Sequence, residues 1–348
     1  MAQTYTAAII GCGRMGGSID DEVRNHPGII YPYSHAGTYQ ACQRTTLVAA
    51  SDVLEDKLQP FCQRWDIPHA YTDFRELIER EQPDIISVTT RPASHREIVV
   101  YAAAHGVKAI WCEKPLCCSM VEADSMVDAC EQHGVKFNLG VNRRYSSVYR
   151  TARRLIAEGI VGDLRTIIGH CAGSALWSHT HASDLFLLLA GDVPVEYVQG
   201  TVGADEADYA DNQVEVDPAI DSAYIRFAGG IHGYLLAILG YEWEVTGTTG
   251  KLRLLNDGQS AELRSQSGAW KQLESVPPPK FARTSNALNC LNDLVAALDS
   301  GGATQGNVQL ARRSQEIIMG IIASHGQHGA RVPLPLANRD LYVGKRDW

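Results

Sequence analysis

Thr6-Ala7-Ala8-Ile9-Ile10-Gly11-Cys12-Gly13-Arg14-Met15-Gly16-Gly17 is the stretch whose reading decides the fold. A short, mostly apolar run has the length of a buried strand, and Gly-x-Gly-x-x-Gly follows it with no spacer. Glycines at these places permit a tight turn and let backbone amides approach a pyrophosphate. A glycine-rich turn in another kind of α/β protein is the bland alternative. The chain on either side of the loop weighs against it.

Strands and helices alternate from here. Leu47-Val48-Ala49-Ala50-Ser51-Asp52 reads as a second strand with an acid at its end, placed to accept from ribose hydroxyls. Asp52 lies well beyond the roughly 20-residue gap that is usual. The excess reads as an inserted loop over 18–33, broken by Pro27, Gly28 and Pro32. Ser34 then caps a helix over 35–44. Tyr33 and His35 either face the crevice or, the preferred reading, pack the loop. Helices are expected over 56–65, 74–81, 94–105 and 120–133, and strands over 69–71, 84–89 and 136–140. This repetition specifies a doubly wound parallel sheet.

One more strand completes the pattern. Val107 to Trp111 is apolar and runs into Cys112-Glu113-Lys114-Pro115-Leu116. Ligands of open α/β sheets sit at the carboxyl ends of the strands, so Lys114 stands at the mouth of a crevice. Proline after it holds the chain extended. Thr89-Thr90-Arg91 ends the preceding strand and borders the same crevice.

The 348 residues suit two domains, split here as 1–142 and 143–348. Hydrophobic residues make up 45% and charged residues 20%, the mix of a soluble globular protein. A net charge of -9 argues against nucleic acid or an acidic membrane as partner. No apolar run reaches transmembrane length, and the start lacks the basic segment of a signal peptide. The 9 cysteines are odd in number, scattered, and form no Cys-x-x-Cys pair. They read as reduced thiols in a cytoplasm, with no metal site.

The second half is strand-rich. Strands are expected over 195–202, 221–227, 230–240, 242–246, 251–255 and 261–265, after a strand-rich start at 163–170. Together they make an open-faced, mostly antiparallel sheet with helices on one face. Helices are expected over 148–158, 286–298 and 307–325. Within this half, His181 and Asp184 are three apart and share a helix face. Histidine exchanges protons near neutral pH, which makes His181 a candidate for proton transfer. His179 and Trp177 stand just before it. Arg143, Arg144 and Tyr145 leave the first sheet beside the crevice, either to hold ligand oxygens or to start the next helix.

These motifs together resemble the glucose–fructose oxidoreductase / inositol dehydrogenase family, Gfo/Idh/MocA. The resemblance rests on Gly11-x-Gly13-x-x-Gly16, the run from Thr90 to His95, Glu113-Lys114-Pro115, Arg144-Tyr145, Gly159-x-x-Gly162 and His181-x-x-Asp184. It implies an N-terminal Rossmann domain and a C-terminal sheet through which copies form homodimers or homotetramers. It also implies NAD, with NADP possible, and a sugar, sugar acid or cyclitol as substrate. The cofactor contacts expected are Gly11, Cys12, Gly13, Arg14, Met15, Gly16, Asp52, Thr89, Thr90, Arg91, His95, Glu113, Lys114 and Arg143. Lys114 matches the family lysine that meets substrate and nicotinamide, and His181 matches its active-site histidine. The substrate set expected is Lys114, Arg144, Tyr145, Trp177, His179 and His181. Many members carry an aspartate four residues before the histidine; Trp177 stands there instead, and its ring suits the apolar face of a sugar.

The expected activity is hydride transfer between a secondary alcohol and the nicotinamide. Two other readings compete. One is an enzyme that retains NAD and cleaves a glycoside by transient oxidation. The other is a non-catalytic nucleotide sensor. Asp52 favours NAD, but an arginine such as Arg44 reaching the ribose would favour NADP.

Overall fold

The opening stretch folds as read. Tyr5–Ile10 is strand β1, and it lies between β2 (Thr45–Ser51) and β4 (Ile85–Val88), with β3 (His69–Tyr71), β5 (Ala109–Cys112) and β6 (Lys136–Leu139) completing the sheet. The computed structural model describes residues 3–205, 208–268 and 272–345. The order is β3-β2-β1-β4-β5-β6, and every pairing is parallel. The chain therefore switches direction of winding between β1 and β4, which is where such sheets bind ligands. Ile9, Ile85, Ile86, Val88 and Ile110 are fully buried, as expected of strands covered on both faces.

Helices join these strands: α1 (Ile19–Glu22), α2 (His35–Ala41), α3 (Glu55–Trp65), α4 (Phe74–Glu81), α5 (Pro92–Ala104) and α6 (Met120–His133). Side chains cap several of them: Ser34 accepts from the Gly37 amide, Asp73 from Arg75 and Ser119 from Glu122. Gly134 ends α6 in the left-handed region at φ 66°.

The expected inserted loop over 18–33 is shorter than read. A π-helical turn at Arg14–Ser18 leads directly into α1, so the excursion starts only after Glu22. Its base is pinned by Asp20, whose carboxylate accepts the Ser34 amide at 2.7 Å and the Ser34 hydroxyl at 2.8 Å. Helix α2 stops at Ala41 rather than 44 because Cys42 is extended. Helix α5 starts at Pro92 rather than 94, with the proline in its first turn, where its missing N–H costs nothing.

The chain falls into two compact units, and their division differs from the sequence reading. One unit runs to Tyr145 and regains Thr284–Arg312; the other is Ser146–Arg283 with Arg313–Lys345. The 1–142 and 143–348 split thus gave a returning segment to the wrong unit. The physical reason is packing. Ala287, Cys290, Leu291, Leu294 and Val295 join one apolar cluster with Tyr5, Ile9, Ile85, Trp111 and Tyr145.

The second unit opens with α7 (Ser147–Ala157), β7 (Leu164–His170) and α8 (Thr180–Leu189). Strands β8 (Val195–Val202), β9 (Tyr209–Ala210), β10 (Gln213–Val214), β11 (Ile220–Phe227), β12 (His232–Leu236), β13 (Glu242–Gly247), β14 (Gly250–Leu255), β15 (Ser260–Gln266) and β16 (Leu273–Val276) follow. Then come α9 (Asn286–Ser300), the helix that returns to the first unit, and α10 (Val308–Gly326), β17 (Val332–Pro333) and β18 (Tyr342–Val343). Nine strands form one sheet in the order β16-β15-β14-β13-β7-β12-β11-β8-β17, antiparallel except for β7 with β12. Buried and half-buried positions alternate along β14, so one of its faces is fully covered. Gly169 and Gly233 lie against the Phe186 ring of α8, and Gly200 against Ile321 of α10. Small residues on the sheet thus let these helices settle on it. Tyr234, Leu236 and Ile238 are partly exposed. Among the described residues no helix is long and apolar enough to cross a membrane.

Candidate active site

The crevice of the first unit is built at the carboxyl ends of β1, β2, β4 and β5. Gly11 takes φ +101°, and a Cβ there would lie 2.8 Å from the Thr89 backbone carbon. Thr89 binds back to the same place: its amide donates to the Ile10 carbonyl at 2.8 Å and its hydroxyl to the Gly11 carbonyl at 2.5 Å. A Cβ on Gly16 would come within 2.6 Å of the Gly11 carbonyl oxygen. Gly11 and Gly16 are therefore required by the protein's own packing. Gly13 is not. Its φ is -86°, which any residue adopts, and a Cβ there would meet nothing within 4 Å. A glycine with open space before it fits a backbone that a phosphate approaches closely.

Asp52 sits half-buried at the end of β2. One oxygen accepts the Cys12 amide at 2.8 Å and the other the Leu54 amide at 2.9 Å. The carboxylate is thereby fixed beside the glycine loop, with lone pairs left for ribose hydroxyls. The residues present fit a dinucleotide. Gly13, Arg14 and Met15 would hold its pyrophosphate and Asp52 its adenosine ribose. Cys12 contributes its amide; burial pushes its thiol far above the ordinary value, with Asp52 and Cys62 adding to it. Arg14 is exposed and paired with Glu22 at 2.7 Å. Arg44, named as a possible route to NADP, is at the other end of β2. It pairs with Asp299 at 2.8 Å and donates to the Gln3 carbonyl.

Strand β5 delivers Glu113 and Lys114. Lys114 is half-buried, its amide faces the Glu113 carboxylate at 3.3 Å, and the bond to Pro115 is cis. Thr90 is half-buried and Arg91 exposed at the start of α5. Arg143 is half-buried on the 3₁₀ turn Asn142–Tyr145.

Several expected contacts are turned away from the crevice. Glu113 is only 4% exposed, and its Oε1 is 3.1 Å from the His35 ring. It is a buried partner of His35 rather than a cofactor contact. His95 is fully buried, with Nδ1 3.1 Å from the Pro115 carbonyl and Nε2 3.2 Å from the Thr90 carbonyl. It ties the two strand ends together instead of touching a ligand. Burial holds its imidazole below the ordinary histidine value, against the raising effect of the Thr90, Leu116 and Pro115 carbonyls and the Glu113 charge. Arg144 and Tyr145 are also fully buried; Arg144 donates to the Gln305 carbonyl and Tyr145 to that of Leu139. Both belong to the core that α9 joins, so neither is open to a substrate. The preferred packing reading of His35 is right in kind, though its partners are strand residues and not the loop.

In the second unit His181 occupies the first turn of α8 and is half-buried; Asp184 is buried. The segment leading to it is held from two sides. Asp217 accepts the Leu176 amide at 2.7 Å and the Trp177 amide at 3.0 Å. His179 is buried, with its ring nitrogens 3.0 Å from the Ser174 carbonyl and 3.1 Å from that of Cys171. His179 is therefore a clamp of this turn and not a substrate contact. Trp177 is half-buried, with its backbone amide held by Asp217. Sequence reasoning missed Asp217, for no pattern links it to Trp177. It also missed Ser87, although a serine inside Ile85-Ile86-Ser87-Val88 was a signal. Among the described residues no cluster could hold a metal ion.

Residues 5–141 match the family described as "Oxidoreductase family, NAD-binding Rossmann fold". D-apiose dehydrogenase of Paraburkholderia graminis is 24% identical over 332 residues, covering 86% of this chain and 82% of its own. A 2,7-anhydro-N-acetylneuraminate hydratase of Mediterraneibacter gnavus is 32% identical over 163 residues, covering 39% of this chain and 43% of its own. A levoglucosan dehydrogenase, solved with NADH and levoglucosan, has the same fold: TM-score 0.75, 19% identity, covering 96% of this chain and 100% of that one. Over its residues 5–141 the chain is thus similar to the Gfo/Idh/MocA oxidoreductases, a family with an NAD-binding Rossmann fold.

Proposed function

We propose that the protein is an NAD-dependent dehydrogenase of a secondary alcohol on a sugar, glycoside, sugar acid or cyclitol. One observation carries the reading: Gly13 opens onto nothing in the protein, at the same strand-end face that presents Lys114. The dehydrogenase relative that spans most of the chain supports it. Bound NAD supplies the hydride acceptor. With the hydride of a carbinol carbon so accepted, the hydroxyl would have to lose its proton for a carbonyl to form. His181 takes that proton, since a histidine titrates near working pH. Lys114 holds the oxygen and stabilises the negative charge that develops on it. Trp177 receives the apolar face of the ring. Arg91 and Arg143, both solvent-accessible, would help to hold the cofactor.

The partly exposed Tyr234, Leu236 and Ile238 support pairing of copies through the second sheet as a homodimer or homotetramer. A cytoplasmic location fits the scattered thiols.

A second reading, net hydration or cleavage with NAD retained, is favoured by the hydratase relative. Absorbance at the reduced-nicotinamide band separates the two. Purified protein is mixed with NAD and a panel of pyranoses, glycosides, sugar acids and inositols. Net reduction by one compound supports the dehydrogenase. Consumption of a compound with no net reduction supports the second reading.

A further inference from the structure

Four polar side chains form one closed chain inside the first unit. His35 is fully buried and stacks on Trp111 with ring centroids 3.7 Å apart. Its Nε2 is 3.1 Å from Glu113 Oε1, and its Nδ1 is 2.8 Å from the Ser87 hydroxyl. Ser87 is in turn 2.8 Å from the Tyr39 hydroxyl. Chemistry sets the first donor. A carboxylate only accepts, so His35 Nε2–H donates to Glu113. Nδ1 and the Ser87 hydroxyl share the next hydrogen bond, and the Ser87 and Tyr39 hydroxyls the one after it. Burial keeps the Tyr39 proton in place, far above the ordinary phenol value. Both ring nitrogens and both hydroxyls in the chain therefore have a hydrogen-bond partner.

The far end of the chain is the Lys114 turn. The second Glu113 oxygen faces the Lys114 amide at 3.3 Å. Behind the carboxylate the space is closed: a Cβ on Gly140 would lie 2.3 Å from Glu113 Oε1. The near end is the base of the excursion after α1, where Asp20 holds Ser34, the residue just before His35. Glu113 is thus gripped between His35 and the β6 backbone, and it in turn holds the lysine's peptide.

We propose that His35 is a positioning residue for Lys114, acting through Glu113 to fix the turn from which the lysine projects. Ser87 and Tyr39 serve by holding in place the ring that meets Glu113. This rests on the reading of Lys114 as the residue that meets substrate, and the test separates the two.

The primary readout needs no substrate. Purified protein is treated with limiting acetic anhydride, and the rate of Lys114 acetylation is measured by peptide mass spectrometry. His35→Leu is expected to change that rate at least threefold. His35→Gln, whose amide can still donate to Glu113, is expected to stay within twofold of the parent. With any alcohol that reduces NAD, His35→Leu is expected to lower kcat at least tenfold with KM for NAD within threefold. Ser87→Ala and Tyr39→Phe are expected to shift both readouts two- to fivefold in the same direction. Folded His35→Leu with an unchanged acetylation rate overturns the proposal, whether or not kcat falls. If His35→Leu does not fold, unchanged acetylation in both Ser87→Ala and Tyr39→Phe overturns it. Lys114→Ala that keeps full kcat overturns the reading of Lys114 alone, and the acetylation result still decides the role of His35.

Discussion

The Asp52 carboxylate accepts the Cys12 amide at 2.8 Å, so the acid at the end of β2 is fastened to the glycine loop itself. Its position beside the loop is set by the protein's own amides, those of Cys12 and Leu54. Asp52→Ala removes a charged acceptor worth about 1.5–3 kcal/mol, so NAD affinity should fall roughly 10- to 100-fold. Titration calorimetry checks this. Arg44→Ala should leave the ratio of NAD to NADP affinity unchanged, because Arg44 is paired with Asp299. A ratio shifted toward NAD in that variant would put Arg44 at the ribose after all.

Gly16 and Gly13 of the loop should respond differently. Gly16→Ala places a Cβ 2.6 Å from a backbone oxygen, so it should lower Tm and NAD affinity together. Gly13→Ala should leave Tm unchanged or raise stability by about 0.4–1 kcal/mol through a less free unfolded chain. Its NAD affinity should still fall at least tenfold. Thermal melts with and without NAD distinguish these. A Gly13→Ala protein with intact NAD affinity would show that the open space at Gly13 is not where the phosphates lie.

Asp217 should matter to the second unit beyond its own bonds. It accepts two amides of the turn that leads into α8 and His181. Asp217→Ala leaves both donors without an acceptor and should cost about 1–3 kcal/mol of stability. It should also raise KM for the alcohol more than it lowers NAD affinity. Chemical denaturation and steady-state kinetics read the two effects. Equal loss of both affinities would mean general unfolding rather than a loosened turn.

His95 should make the protein acid-sensitive. Its buried ring has a folded value below the ordinary one, so the unfolded state binds the proton more readily. The stability it contributes is fully present above about pH 6.5 and is lost as pH falls from there through the lowered folded value. The slope from this one residue is at most about 1.4 kcal/mol per pH unit. Denaturation of the parent and His95→Gln between pH 7.5 and 5 should show a shallower decline in the variant. Parallel curves would contradict the assignment.

Periodicity and glycine spacing carried most of the fold. Strands whose every residue is buried, such as Ile85–Val88 and Ala109–Cys112, announce themselves as apolar runs, and the residues after them mark the crevice. What such runs leave open is which way the next polar side chain turns. Glu113, His95, Arg144 and Tyr145 all stand just after strands, yet each is satisfied inward: Glu113 and Arg144 by His35 and Gln305, distant in sequence, and His95 and Tyr145 by Thr90 and Leu139, near in it. The return of α9 to the first unit was hidden for the same reason, since an amphipathic helix does not name the surface it covers. Strand β16 was missed because Leu273–Val276 is short, pairs on only one side and is nowhere fully buried.

The central claim is net hydride transfer from a carbinol carbon to NAD. The most direct measurement uses the alcohol found by the panel, deuterated at the oxidised carbon, with excess NAD and purified protein. Reduced cofactor is then isolated and analysed by mass spectrometry and proton NMR. One deuterium at the nicotinamide C4, in an amount equal to the carbonyl product, is the predicted result. Conversion of the compound with no deuterium in released cofactor would contradict the account and point to chemistry that returns the hydride to its substrate.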